Sequence, residues 1–191
     1  VSPNGPRAAY EYWAKMANLD GVPVVVNRVR VSSSSDVGHV TVTVATPAGP
    51  VPGDEYDPTT PLGAVREILL RWALPPAVSL SVVSASAHVI PVAYSISYRP
   101  EKGLTVDDIR AKVQAALRDW IGRVPIGGNR IPASTGMVYA SAISGVIGGT
   151  HSAIVDVRLA AGDIPIGDSE APVCGVVTLQ DVQLVADSEK A

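Results

Sequence analysis

Three histidines, one cysteine, an acidic run and two glycine-rich runs are the parts of this sequence from which a reactive or ligand-holding site could be built. His39, His88 and His151 each open an expected strand. None has a second histidine at i+2, or at i+4 on a helix, the spacings that bring two imidazoles onto one metal ion. They read as strand-edge histidines rather than as a metal or general-base set. Asp54, Glu55 and Asp57 lack the Asp-x-Asp-x-Asp-Gly spacing and the downstream glutamate of a calcium loop. A solvated acidic loop, or one that docks on a neighbour, is the better reading. Gly127-Gly128-Asn129-Arg130 and Gly148-Gly149-Thr150 lack the lysine of a phosphate-binding loop, and turn glycines account for both. Cys174 lies in a valine-rich strand, where a thiol is expected to be buried and inert. Ser32 to Ser35 reads as a polar hairpin tip. There is no Gly-x-Ser-x-Gly elbow. The residues therefore nominate no catalytic, cofactor-binding or metal-binding site, and the chain is not expected to be an enzyme.

Composition narrows the partners. Hydrophobic residues make up 47% and charged residues 17% of the 191 positions, enough apolar surface for a real core. Valine is abundant and phenylalanine absent, which favours strands over an all-helical chain. The net charge is −3 and lysines and arginines form no run, so a nucleic-acid partner is not expected. A single cysteine leaves no intrachain disulfide. No apolar run is long enough to span a bilayer, and no signal peptide is expected. The chain begins at Val1, so an N-terminal portion is expected to be missing.

The elements that must hold these residues follow from periodicity. Residues 7–19 carry Ala9, Tyr10, Trp13, Met16 and Ala17 on one helical face. A hairpin follows, with strands at 24–31 and 39–46 and Val40, Val42 and Val44 alternating in the second. Residues 47–60 hold several prolines and the acidic run, and read as a loop. A helix at 61–72 has Pro61 in its first turn and a stripe of Leu62, Val65, Ile68, Leu69 and Trp72. Strands are expected at 78–83 and 88–98, the latter with Val92, Tyr94, Ile96 and Tyr98 on one face. Thr105 and Asp108 make a capping-box start for a helix reaching Gly122, striped by Val106, Ile109, Val113, Ala116, Leu117, Trp120 and Ile121. Residues 125–131 read as a glycine-rich loop and 133–147 as a weaker helix of small residues. A strand at 153–159, with Val155, Val157 and Leu159 on one face, a loop at 162–172 and strands at 173–179 and 182–185 close the chain. The order α-β-β-α-β, then β-α-α-β-β, predicts an α+β chain of two small two-layer sandwiches with mostly antiparallel sheets, residues 1–85 and 86–191. The boundary falls near 84–87, where two strands can be one bent element.

Several stretches, in order, resemble one known family. Gly5-Pro-Arg-Ala-Ala-Tyr-Glu-Tyr-Trp-Ala14 is similar to the Gly-x-x-x-x-Tyr-x-x-Trp-Ala opening of the middle part of baseplate J-like proteins. The hairpin, helix and strand through Val83 follow in that family's order. Val92 to Tyr98, the helix from Val106 to Ile121, and residues 131–147 leading into Ser152-Ala-Ile-Val-Asp-Val-Arg-Leu159 resemble its second half. Gly162-Asp-Ile-Pro-Ile-Gly-Asp-Ser-Glu-Ala-Pro172, then Gly175-Val-Val-Thr-Leu179, resembles its Asp-Ile-x-Ile, Glu-x-Pro and Gly-x-Ile-Thr-Leu close. Two departures stand out: the 47–60 loop is longer and more acidic than the family's pattern, and the family's N-terminal portion is absent.

The resemblance implies a structural component of the baseplate wedge of a contractile phage or phage-like tail. Such a chain is built into the virion tail baseplate, after assembly in the bacterial cytoplasm, beside other wedge and sheath-platform proteins and in several copies. It implies no cofactor, no small-molecule substrate and no membrane insertion. Work of this kind is done by interfaces, which favour aromatic anchors. Tyr12, at the edge of its helical stripe, and Tyr56, in the acidic loop, are the expected interface residues. A tail-associated binding module, an adhesin or carbohydrate-binding domain, is the alternative, and its only hints are Tyr56 and Tyr98. A tail-associated hydrolase would need paired carboxylates in a cleft, whereas the acidic residues here are scattered.

Overall fold

The computed structural model describes residues 7–17, 25–33, 38–101, 103–131 and 135–185. These described residues form an α+β fold with mostly antiparallel strand pairings and no barrel among them. In the first half, β1 (Arg28–Ser33) and β2 (His39–Thr46) form an antiparallel hairpin in which Arg28 faces Ala45 and Ser33 faces Val40. The two-residue β3 (Gly49–Pro50) turns back on the end of β2. The chain then crosses through α2 (Pro61–Trp72) and returns as β4 (Ser79–Ser84), parallel to β2. A parallel return demands such a crossover, and α2 supplies it. Thr60 caps α2 by accepting from the Gly63 N–H, with Pro61 where a helix has no hydrogen bond to lose. α2 and α1 (Arg7–Lys15) cover one face of the sheet, burying Tyr10, Ala14, Val42, Val44, Val65, Leu69 and Val82.

The second half is built on β5 (Ser86–Tyr98), the centre of a three-stranded sheet in the order β7-β5-β9. Alternation along β5 sends Ile90, Val92, Tyr94, Ile96 and Tyr98 inward, while Val89 and Pro91 stay outside. β7 (Ile154–Leu159) pairs antiparallel and β9 (Glu170–Leu184) parallel to it. α3 (Val106–Ile121) lays Ile109, Val113, Leu117 and Ile121 on the inner face, and α4 (Ala140–Gly148) adds Ile143 and Ile147. The expected capping box is present: Thr105 accepts from the Asp108 N–H, and the Asp108 carboxylate accepts from the Thr105 N–H.

Several expectations are corrected. The fourth helix does not span 133–147 but begins at Ala140, because Met137–Val138 form a short strand, β6, paired with β8 (Ile164–Pro165). Residues 132–134 lie outside the described residues. The Asp163 carboxylate accepts from the Ala140 N–H at 2.8 Å and starts α4 where the strand ends. The expected loop at 162–172 thus contains β8 and the first residues of β9. The two closing strands are one, β9, with two register shifts against β5 that absorb the extra residues. The first helix ends at Lys15, and residues 25–27, expected in the first strand, precede β1, which starts at Arg28; residues 18–24 lie outside the described residues. Val155 is half exposed because the β5–β7 register slips between Ser97 and Tyr98. Ala14 of α1 is fully buried and Met16, just past its end, is exposed, so the buried stripe is narrower than the sequence pattern.

β4 and β5 are separated by Ala85 alone. Its N–H donates to Val44 O in the first sheet, and the next N–H, of Ser86, donates to Ser169 O beside the second. Ala85 packs with Ala45, Ile126 and Ala171 in a small apolar cluster between the halves.

Candidate interaction surfaces

Around that apolar cluster the halves are held by side chains of β1 and the residue before it. Arg28 is 4% exposed, and its guanidinium donates to three main-chain carbonyls: Thr46 O, Pro172 O at 2.7 Å and Val124 O at 3.4 Å. Two of these acceptors belong to the second half. Arg28 Nε and Asn27 Oδ1 are buried without a hydrogen-bond partner. Desolvation lowers the Arg28 pKa from its ordinary value. Asn27 Nδ2 donates to Gly122 O at 2.9 Å, at the end of α3. Gly122 approaches Pro47 so closely that a Cβ there would stand 2.8 Å from the Pro47 carbonyl oxygen. Two residues along the same face of β1, Arg30 donates to Asp168 O at 2.6 Å, and the Asp168 carboxylate also bonds Arg130. Sequence reading missed these residues. Their one signal is the alternation Arg28-Val-Arg-Val31, which puts two charges on one face of an apolar strand.

Between β1 and the 125–130 turn lies a cleft of about 320 Å³. Val29, Pro125 and Ile126 give it apolar walls, and Arg7, Arg30 and Arg130 line it with guanidinium groups.

The acidic loop is an ordered turn. Asp54 Oδ1 accepts from the Tyr56 N–H, and Asp57 Oδ1 accepts from the N–H and hydroxyl of Thr59. These bonds hold the Asp57 carboxyl below its usual pKa, the Thr59 hydroxyl contributing most. Glu55 turns inward, accepting from the Val82 N–H of β4 at 2.7 Å and facing Arg66 at 3.7 Å, too long for a hydrogen bond. Tyr56 is 70% exposed, with the Arg66 guanidinium 4.9 Å from its ring centroid.

Tyr12 belongs to an aromatic ladder. Its ring meets Trp13 edge to face, with centroids 5.2 Å apart, and Trp13 stacks on Trp72 of α2 at 5.5 Å. Tyr12, Met16 and Trp72 are each about half exposed, so an apolar patch faces solvent on the helical layer. Sequence periodicity assigned Met16 and Trp72 to buried stripes; the α1–α2 packing leaves both at the rim. Tyr98 is buried in the second core and offers no sugar-stacking face.

The candidate chemical residues are dispersed. His39 Nδ1 lies 2.7 Å from the Ser79 hydroxyl across β2 and β4, and His151 Nδ1 accepts from the Ala153 N–H. His88 Nδ1 lies 2.8 Å from the Glu170 carboxylate. The Gly167 N–H, and after it His88, lower the Glu170 pKa. Among the described residues no group of three or more His, Cys, Asp or Glu is placed to hold a metal ion. Cys174 is half buried, and burial raises its thiol pKa, which disfavours the reactive thiolate. Gly127 and Gly128 adopt positive φ in a turn, and Gly149 caps the end of α4. Ser32 and Ser33 end β1, while Ser34 and Ser35 lie outside the described residues. No helix of the described residues is long and apolar enough to cross a membrane.

No protein-family model matches this chain, and no curated protein matches it.

Proposed function

We propose that the chain is a structural component of the baseplate wedge of a contractile phage or phage-like tail, working through protein–protein interfaces rather than catalysis. The observation that carries this reading is where the family-like residues fall. Asp163 starts α4, Glu170 ties the Gly167 N–H and His88, and Pro172 offers its carbonyl to Arg28 across the halves. A Cβ on Gly175 would stand 2.8 Å from Val89 and 3.0 Å from the Ile90 carbonyl oxygen, so the strands meet closely there. These residues act as joints in the fold, as a load-bearing subunit needs and a binding pocket does not. The patch of Tyr12, Met16 and Trp72 adds residue types enriched at interfaces.

Electron microscopy of tail particles carrying the full-length protein tests the reading. Density for this chain in a ring at the base of the sheath is the expected result. Its absence from the particles, or hydrolysis of cell-wall polymer by the purified chain, overturns it.

A further inference from the structure

We infer that the arginine-lined cleft receives the acidic loop of a second copy of this chain, so that copies join head to tail. This deepens the assembly reading, on which it rests, by naming the two surfaces. The cleft has apolar walls, from Val29, Pro125 and Ile126, and three arginines: Arg7 is paired with Glu11, while Arg30 and Arg130 share the single carboxylate of Asp168. It therefore presents excess positive charge around an apolar floor. The loop carries the matching pattern: the exposed Tyr56 ring stands between Asp54 and Asp57, each of which spends Oδ1 on a turn and keeps a second oxygen. An aromatic anchor with charged neighbours suits a cleft with an apolar floor and charged rim.

The two surfaces cannot meet within one molecule. Sheet order places β2 between β1 and β4. The cleft opens along β1, and the loop is tied to β4 through Glu55 and Val82. They thus sit at opposite edges of the first sheet. A contact between unlike surfaces repeats from copy to copy, closing into a ring or running on as a filament. The loop arrives pre-ordered, its turns bonded and Tyr56 held by Arg66, so little freedom is lost on docking.

Sedimentation equilibrium of the full chain, with Tyr56→Ala and Arg130→Glu as separate variants checked for folding by circular dichroism, tests the contact. The unaltered chain is expected to gain mass with concentration, more weakly at high salt. Each variant is expected to lower the association constant by about 30-fold or more. An equimolar mixture of the two variants pairs one intact cleft with one intact loop, and is expected to reach twice the monomer mass and no more. Arg7→Ala, which leaves the Arg130–Asp168 pair in place, provides a second cleft variant should Arg130→Glu misfold, with the same expected loss. An unaltered chain that stays monomeric to about 1 mM, variants that associate like the unaltered chain, or a mixture that fails to pair each overturns the contact. A monomeric chain that still gives ring density in particles overturns the contact alone, while head-to-tail association by a chain missing from particles overturns the baseplate reading alone.

Discussion

Gly63, in the first turn of α2, lies against the main chain of Asp57: a Cβ added there would stand 2.0 Å from the Asp57 carbonyl oxygen. Alanine at this position gains up to about 1 kcal/mol in helix propensity. The clash with backbone costs about 1–3 kcal/mol, because neither the helix nor the bonded turn can yield cheaply. Gly63→Ala is therefore expected to lower stability in urea denaturation and to displace the acidic loop. A variant as stable as the unaltered chain contradicts this close packing.

Arg28 joins the halves by hydrogen bonds to carbonyls, with no carboxylate among its hydrogen-bond partners. Hydrogen bonds from a charged group contribute about 1.5–3 kcal/mol each, against a desolvation cost of several kcal/mol. The intact arrangement comes out near balance, but truncation removes the buried hydrogen bonds to Val124 O and Pro172 O. Arg28→Ala is expected to destabilise the chain by about 2–4 kcal/mol. Arg28→Lys should recover little, since an ammonium lacks the planar fork that reaches three acceptors. Equilibrium denaturation of both variants checks this, and full rescue by lysine would contradict the fork.

Tyr94 is fully buried in the second core, and its hydroxyl has no hydrogen-bond partner. Burial raises the phenol pKa accordingly. Tyr94→Phe removes the stranded hydroxyl and keeps the ring. It is expected to leave stability unchanged or to raise it by about 1 kcal/mol, measured as the denaturation midpoint. A clear loss would mean that the hydroxyl has a partner, such as a buried water.

The Asp108 carboxyl is held below its ordinary value of 3.8, first by the Thr105 hydroxyl and then by the Thr105 N–H. A depressed pKa in the folded chain means that the carboxylate stabilises the fold at pH above the unfolded value. That stabilisation fades as pH falls through the folded value. Glu170, lowered chiefly by the Gly167 N–H, acts in the same sense from its ordinary 4.5. The melting temperature is expected to fall as pH drops below about 4.5. Thr105→Ala should lower it by a few degrees at neutral pH and flatten the acid limb.

Elements held by neighbours in sequence were legible. The Thr105–Asp108 box and Thr60 and Pro61 before α2 rest on contacts a few residues apart, and the alternation of β5 is written in its own period of two. What was not legible depends on distant partners. Met137 and Val138 look helical beside Ala140 and Ser141, and pairing with Ile164 and Pro165, together with the Asn129 bridge to Met137, makes them a strand. Trp72 fits the apolar stripe of α2, yet Trp13 draws it to the rim. Of the expected interface residues, Tyr12 and Tyr56 are both exposed, each against a ring or cation that no local pattern announces. Arg28 meets Pro172 across 144 positions, beyond the reach of periodicity.

Ala85 gives the molecule a mechanical character. β4 and β5 follow one another through this residue, and each lies parallel to a long neighbour, β2 on one side of it and β9 on the other. Tension applied along this path loads many interstrand hydrogen bonds together in shear, instead of opening them one at a time like a zip. The chain crosses between its halves at a strand, so a pull on one sheet reaches the other without a slack tether to take it up.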